Sequence, residues 1–218
     1  MELTFITMCS WLDVALFATA IMMHWSKKNS GLVYIYVFQS LAVVMTLILL
    51  AWQEHSGVII ISAVATGVIK LIVVPIILLG LIRKHKVTFA SGRYFGGSFI
   101  LLATLFTVAF VHSFFTPILV AIAPDSSQFL FLTFAMILTS LLLTINRKGA
   151  LSQIVGILSA ENGVVAFALS LNIHGGIGME LGIIFDVCVL ALVSSTFASL
   201  VQGHFGTMDV SEMRNLAE

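Results

Sequence analysis

Four ionisable side chains, Asp13, Lys70, Glu161 and Asp186, fall inside long apolar runs of this 218-residue sequence. A charged group at the centre of a membrane-crossing helix costs roughly 2.5–3.5 kcal/mol on insertion scales. Four of them cost on the order of 10 kcal/mol, so they are expected to face protein or water and to pair with one another. Three acids and one base do not all pair as ions. At least one carboxyl group is therefore expected to be protonated or hydrated at neutral pH. A protonatable carboxyl beside a lysine that can itself lose its charge is a proton-relay arrangement.

The local contexts differ. Glu161 lies in LSQIVGILSAENGVVAFAL, beside Asn162 and between Gly156 and Gly163. Lys70 lies in VATGVIKLIVVPIIL, five residues before Pro75. Proline removes a helix hydrogen bond and frees the carbonyl at residue 71, which predicts an irregular turn beside the lysine. Its stem is long enough to snorkel, but mid-span is a poor place for that. Asp186 lies in ELGIIFDVCVLALV; Asp13 has a second, simpler reading, in which it pairs with Lys70 and fixes helix packing. Glu180 and His112 are secondary candidates. Glu180 sits near the outer end of the last run, where acids are common. His112 precedes Pro117 by five residues and either extends the relay or, the preferred reading, is a hydrogen-bonded packing histidine. Gln39 and Gln153 are expected to hydrogen-bond across helices. His24, His55, His85, His174 and His204 read as surface residues, Trp25 and Trp52 as members of interfacial aromatic belts.

The elements that must position these groups are transmembrane helices. Hydrophobic residues make up 60% of the chain and charged residues 9%, and the mean hydropathy is +1.13. A soluble protein does not cover its surface with so few charges. Seven runs of about 20 or more apolar residues are predicted to span, near 4–25, 32–53, 58–82, 95–122, 127–146, 150–171 and 178–202. Short polar breaks separate them. The expected fold is all-α, a polytopic bundle of seven spans. We divide it into an N-terminal five-helix region (1–146), a helical pair (147–202) and a polar tail (203–218). The first run carries Asp13 and is followed, not preceded, by Lys27 and Lys28, unlike a signal peptide.

Basic residues after spans one, three and five (Lys27, Lys28, Arg83, Lys84, Lys86, Arg93, Arg147, Lys148) fall on one side, and Glu2, Glu54 and Asp125 on the other. The positive-inside rule then predicts an outside N-terminus and a cytoplasmic C-terminus. At about 1.5 Å per residue, Asp13, Lys70, Glu161 and Asp186 share one middle layer. Small residues four apart, Ser152–Gly156–Ala160 and Ser159–Gly163, are expected to let span six approach a neighbour closely. The formal net charge of zero gives no electrostatic case for a nucleic-acid partner. Cys9 and Cys188 sit in apolar stretches, and no C-x-x-C, phosphate loop, G-x-S-x-G or H-E-x-x-H is present. The chain is therefore expected to hold no cofactor and to carry out no redox chemistry itself.

The stretch NRKGALSQIVGILSAENGVVAFAL, followed by GGIGMELGIIFDVCVLALV, resembles the hydrogenase-4 component E family. The glutamine in YIYVFQSLAVV and the lysine in TGVIKLIVVP fit the same resemblance, which covers essentially the whole chain. The family's last spans are similar to the small three-helix subunit of respiratory complex I and to the C subunit of multisubunit cation/proton antiporters. The resemblance implies that Glu161 matches the first of two mid-membrane glutamates of that subunit. It implies that Asp186 stands for the second, as an aspartate displaced by up to a helical turn. Lys70 and Asp13 lie in added N-terminal spans and have no match there. The implied role is a non-catalytic membrane-arm subunit of a membrane-bound hydrogenase or complex I-like oxidoreductase, in a bacterial or archaeal cytoplasmic membrane. Partner chains would hold the nickel–iron site, the iron–sulfur clusters and the antiporter-like channels; lipid would be the other neighbour. Two other readings stay open: a scaffold whose buried charges pin helices together, and a free-standing cation/proton exchanger.

Overall fold

The computed structural model describes residues 2–85 and 92–171. Within them the chain is almost entirely helical, and no β-strand occurs among the described residues. Helix α1 is Glu2–Met23 and α2 is Asn29–Glu54. The third span is composite: α3 (Gly57–Gly67), a π-helical window (Val68–Val73) and α4 (Val74–His85). So is the fourth: α5 (Gly97–Phe110), a π window (Val111–Phe115) and α6 (Thr116–Ile122). Helices α7 (Ser127–Asn146) and α8 (Ala150–Ser170) follow. Six of these helical stretches are long and apolar enough to cross a membrane. The chain is by this measure an integral membrane protein. The expected seventh span, 178–202, and the tail lie outside the described residues.

The interruptions are compact because each break carries residues that stop a helix. Between α2 and α3, His55 takes up the left-handed conformation (φ 50°, ψ 32°) and its amide bonds Ala51 O, capping α2 before Gly57 starts α3. A left-handed residue satisfies the end carbonyls of a helix without further chain.

Helices α7 and α8 lie closest together. A Cβ on Gly163 would come within 2.7 Å of Ile137 Cγ1 and 3.4 Å of Ile137 N. One on Gly156 would collide with Thr144 Oγ1 and come within 3.0 Å of Thr144 N. The two glycines are two turns apart on α8, and their neighbours are two turns apart on α7, in antiparallel register. Between them Ser140 Oγ and Ser159 Oγ are 2.8 Å apart. In lipid, where tails are as apolar as leucine, such close packing and interhelical hydrogen bonds hold helices together.

A polar clasp gathers the basic ends of the helices. Arg147, expected in a loop, is buried. Its guanidinium donates to Met23 O (2.8 Å), His24 O (3.3 Å) and Ser26 O (2.8 Å). These are end carbonyls of α1 and its exit, where a cation also meets the negative end of the helix dipole. Burial lowers Arg147 to about 10, with the Arg93 charge adding to it, so it stays cationic at neutral pH. Nearby, Tyr94 N bonds Asn146 O, Lys148 N bonds Gly92 O, Phe95 N bonds Asn146 Oδ1, and Ser152 Oγ donates to Asn29 Oδ1.

His24 corrects a surface assignment. It is buried, and its Nε2 lies 3.1 Å from Thr139 O, which only a ring N–H can satisfy. Its loop position gave no hint of this, because α7 reaches it from far along the chain. Burial lowers its pKa to about 4, against the bond to Thr139, and the Arg147 and Arg93 charges lower it further.

Two outcomes are expected from this packing. Gly163→Val forces α7 and α8 apart and lowers stability in detergent by about 1–3 kcal/mol, read by thermal unfolding; a variant as stable as wild type would refute the close approach. For His24, the folded chain disfavours the proton that the unfolded chain binds below about 6.5. Stability should therefore fall as pH drops from about 6.5 towards 4. The same titration of His24→Gln should show a shallower decline over that window.

Candidate functional site

Helical geometry fixes the depth of the candidate residues. Lys70 is thirteen residues from either end of the third span, Gly57–Arg83, hence about 20 Å from each. Glu161 and Asn162 lie about 17 and 18 Å from the start of α8. Gln39 is about 15 Å from the start of α2. All fall in the middle of their spans, and the side chains meet there.

Lys70 Nζ is 2.7 Å from Glu161 Oε1, and the two side chains are 4% and 15% exposed. The same ammonium donates to Asn162 Oδ1 at 2.9 Å. Asn162 passes the network on: its Nδ2 donates to Ser40 Oγ (3.0 Å) and Gln39 Oε1 (3.3 Å). Gln39 Nε2 donates to Leu16 O on α1 (3.3 Å). One connected polar layer thus runs from the third span through α8 and α2 to α1. Two buried hydroxyls bracket it: Tyr36, whose hydroxyl faces Ser40, and Thr66, which has no hydrogen-bond partner among the described residues. Tyr36 is one turn from Ser40 towards the basic ends, and Thr66 one turn from Lys70 towards the other side.

The lysine sits inside the π window, and Pro75 explains why. Pro75 has no N–H to offer. The Val74 amide bonds Ile69 O, five residues back, instead of Lys70 O. The carbonyls of Lys70 and Leu71 thus lack the amides that a regular helix supplies from positions 74 and 75. The expected disturbance at residue 71 is therefore a π turn reaching back to Val68, wider than a proline kink alone. π turns of this kind recur at functional sites.

Asp13 is buried at a similar depth on α1, one turn from Leu16, but it is not the partner of Lys70; Glu161 takes that position. Depth was legible in the sequence, whereas the rotation of α1 about its axis was not. His112 is exposed, with its ring edge-on to Phe131 at 5.8 Å. It makes no hydrogen bond among the described residues and stands apart from the layer. Asp186 and Glu180 lie outside the described residues. Gln39 bonds across helices as expected, while Gln153 donates locally to Arg147 O (2.7 Å). Asn162 was noticed only as a neighbour of Glu161; its central role as acceptor from lysine and donor to α2 is set by tertiary packing.

A groove of about 720 Å³ between α2 and α3, lined by residues such as Val44, Ile48, Ala63 and Val64, lies away from this layer. No group of three or more His, Cys, Asp or Glu that would suit a metal occurs among the described residues.

Fold and site together define a polytopic helical membrane protein with an acid–base pair buried at mid-span. No family model, curated protein or solved structure matches the chain.

Removing one member of a buried ion pair leaves an uncompensated charge and costs about 3–5 kcal/mol, whereas replacing both is much cheaper. Lys70→Met and Glu161→Gln should each destabilise the chain in detergent. The double variant should be more stable than the sum of the two losses predicts. Strict additivity in that double-mutant cycle would mean that the pair does not act as a unit.

Proposed function

We propose that this chain is a non-catalytic membrane subunit that contributes a mid-membrane acid–base relay to proton or sodium translocation in a membrane-bound hydrogenase or complex I-like oxidoreductase. The observation that carries the relay is the 2.7 Å contact of Lys70 with Glu161 inside apolar spans. The hydrogenase assignment rests on the resemblance of the Glu161 and Asp186 segments to hydrogenase-4 component E. The basic helix ends gathered by Arg147 are the cytoplasmic side under the positive-inside rule.

The pair works as a charge-controlled switch. An ammonium at contact distance favours the ionised carboxylate, and withdrawing it favours proton uptake. The lysine stem is flexible, and its backbone sits in the π window, so it is the member with freedom to move. Asn162 Oδ1 offers the ammonium a resting acceptor on the same helix as Glu161. The buried Tyr36 and Thr66 hydroxyls supply polar stations on either side of the layer. Asp186 is the proposed second acid and Asp13 an outlying one. Redox events in partner chains, which would hold the nickel–iron and iron–sulfur centres, drive the change.

A scaffold is the second reading, and the continuity of the Asn162 network across three helices favours it. The two separate in one experiment. In the assembled complex, reconstituted in vesicles with a pH-sensitive dye, Glu161→Gln should abolish or strongly reduce proton movement. Hydrogen turnover with a soluble electron acceptor should persist. Undiminished proton movement at full assembly would sink the relay, while loss of assembly with no pumping-specific defect would support the scaffold. Purification of the wild-type chain in mild detergent should bring down a nickel–iron subunit; recovery of this chain alone would remove the hydrogenase assignment.

A further inference from the structure

Both polar partners that the described residues give Lys70 Nζ are oxygens: Glu161 Oε1 at 2.7 Å and Asn162 Oδ1 at 2.9 Å. More oxygen lies close by. Thr66 Oγ1, one turn back on the same span, is buried and has no hydrogen-bond partner among the described residues. The backbone carbonyl of Lys70 lacks the amides of positions 74 and 75, because Val74 bonds Ile69 O and Pro75 has no N–H. The Tyr36 hydroxyl is buried and near enough to feel the Glu161 charge. One carboxylate among neutral amide, hydroxyl and carbonyl oxygens is the kind of set that binds a hard cation. Carbonyls freed by an irregular helix turn coordinate sodium at mid-membrane in transporters. To such oxygens an ammonium presents the same charge as a potassium ion and nearly the same radius.

Asn162 is fixed in the orientation this needs. Its Nδ2 donates to Ser40 Oγ and Gln39 Oε1, so Oδ1 is left facing the cation. The charge count is as specific. Among the described residues one carboxylate, that of Glu161, touches the lysine. One negative charge balances one monovalent cation, and the ammonium completes the balance. A free Na⁺ or K⁺ beside it would set two positive charges at contact distance in a low-dielectric interior. That ion would also have to leave its water at mid-span. The lysine is carried into the site by the fold and loses no translational freedom on entering, as a free ion does.

We infer that the oxygens around Lys70 Nζ form an alkali-cation site in which the lysine ammonium is the resident ion, so that Na⁺ and K⁺ are shut out and the ion exchanged at Glu161 is the proton. The proton escapes the exclusion because it adds to the carboxylate itself and needs no cage of oxygens. The identity of the moving ion rests on the relay proposed above; the site rests on the geometry alone. Removing the ammonium while keeping the oxygens should open the site to a free alkali cation.

The test is thermal unfolding of the purified full-length chain in mild detergent, in choline chloride, NaCl or KCl at equal ionic strength. Wild type should unfold at one temperature in all three. Lys70→Ala should unfold earlier in choline chloride, and NaCl or KCl should raise its midpoint saturably by about 5 °C or more. Lys70→Ser, which leaves a further oxygen, should respond in the same way and serves where Lys70→Ala does not fold. Adding Glu161→Gln to either variant should abolish the response. A saturable Na⁺ or K⁺ response of wild type would overturn the inference, as would lysine variants that bind neither ion or fold in neither salt. In vesicles holding the assembled complex, proton movement should be equal in NaCl and choline chloride, and no radioactive sodium should enter. Sodium uptake there would overturn the exclusion, whereas absence of any ion movement would refute the relay, with the unfolding result still deciding the site.

Discussion

An ammonium group in the middle of an apolar span has to find its counter-charge and its hydrogen-bond acceptors within the protein, because lipid offers neither. In this chain that requirement is met by two consecutive residues of one helix. Glu161 supplies the charge and Asn162 a second acceptor for Lys70. The remaining polar capacity of Asn162 then ties α8 to α2, and Gln39 ties α2 to α1. The order of the inner helices follows from satisfying one lysine.

The packing on the far side of α8 gives this arrangement its asymmetry. Gly156 and Gly163 press α8 onto α7 on both sides of Glu161. A helix held that closely has little freedom to rotate or slide. The third span carries the opposite character: its regular hydrogen bonding is broken at the lysine. One partner of the ion pair stands on a rigid wall and the other on a loosened one. The Arg147 clasp seals α1 at the basic end.

Much of the fold was legible because lipid imposes simple rules. The polar breaks located six helices to within a few residues, and counting residues placed Lys70 and Glu161 in one layer. Depth does not specify rotation, so the sequence left Asp13, Glu161 and Asp186 as competing partners for Lys70. His24 was misassigned for a related reason. Position at a span end and charge suggest surface, yet the end carbonyls of α1 are themselves a demand for buried donors. Arg147, directly after the end of α7, meets it. The small-residue spacing of α8 was readable as close approach, but its partner, α7, was not specified by it.

The π window in the third span also alters how the sequence counts. Buried positions there are Ile59, Ser62, Ala63, Thr66, Lys70, Val74, Pro75, Leu78 and Ile82. From Thr66 to Ile82 a buried residue recurs at every fourth position. At about 100° per residue, a straight α-helix would drift roughly 40° at every such step and carry Leu78 and Ile82 off the inward face. The wider turn absorbs much of that drift and keeps the stripe in phase. A related span without the window would hold the same inward face with one residue fewer. Any comparison of the two sequences would therefore need a single-residue gap beside the lysine to superpose their cores.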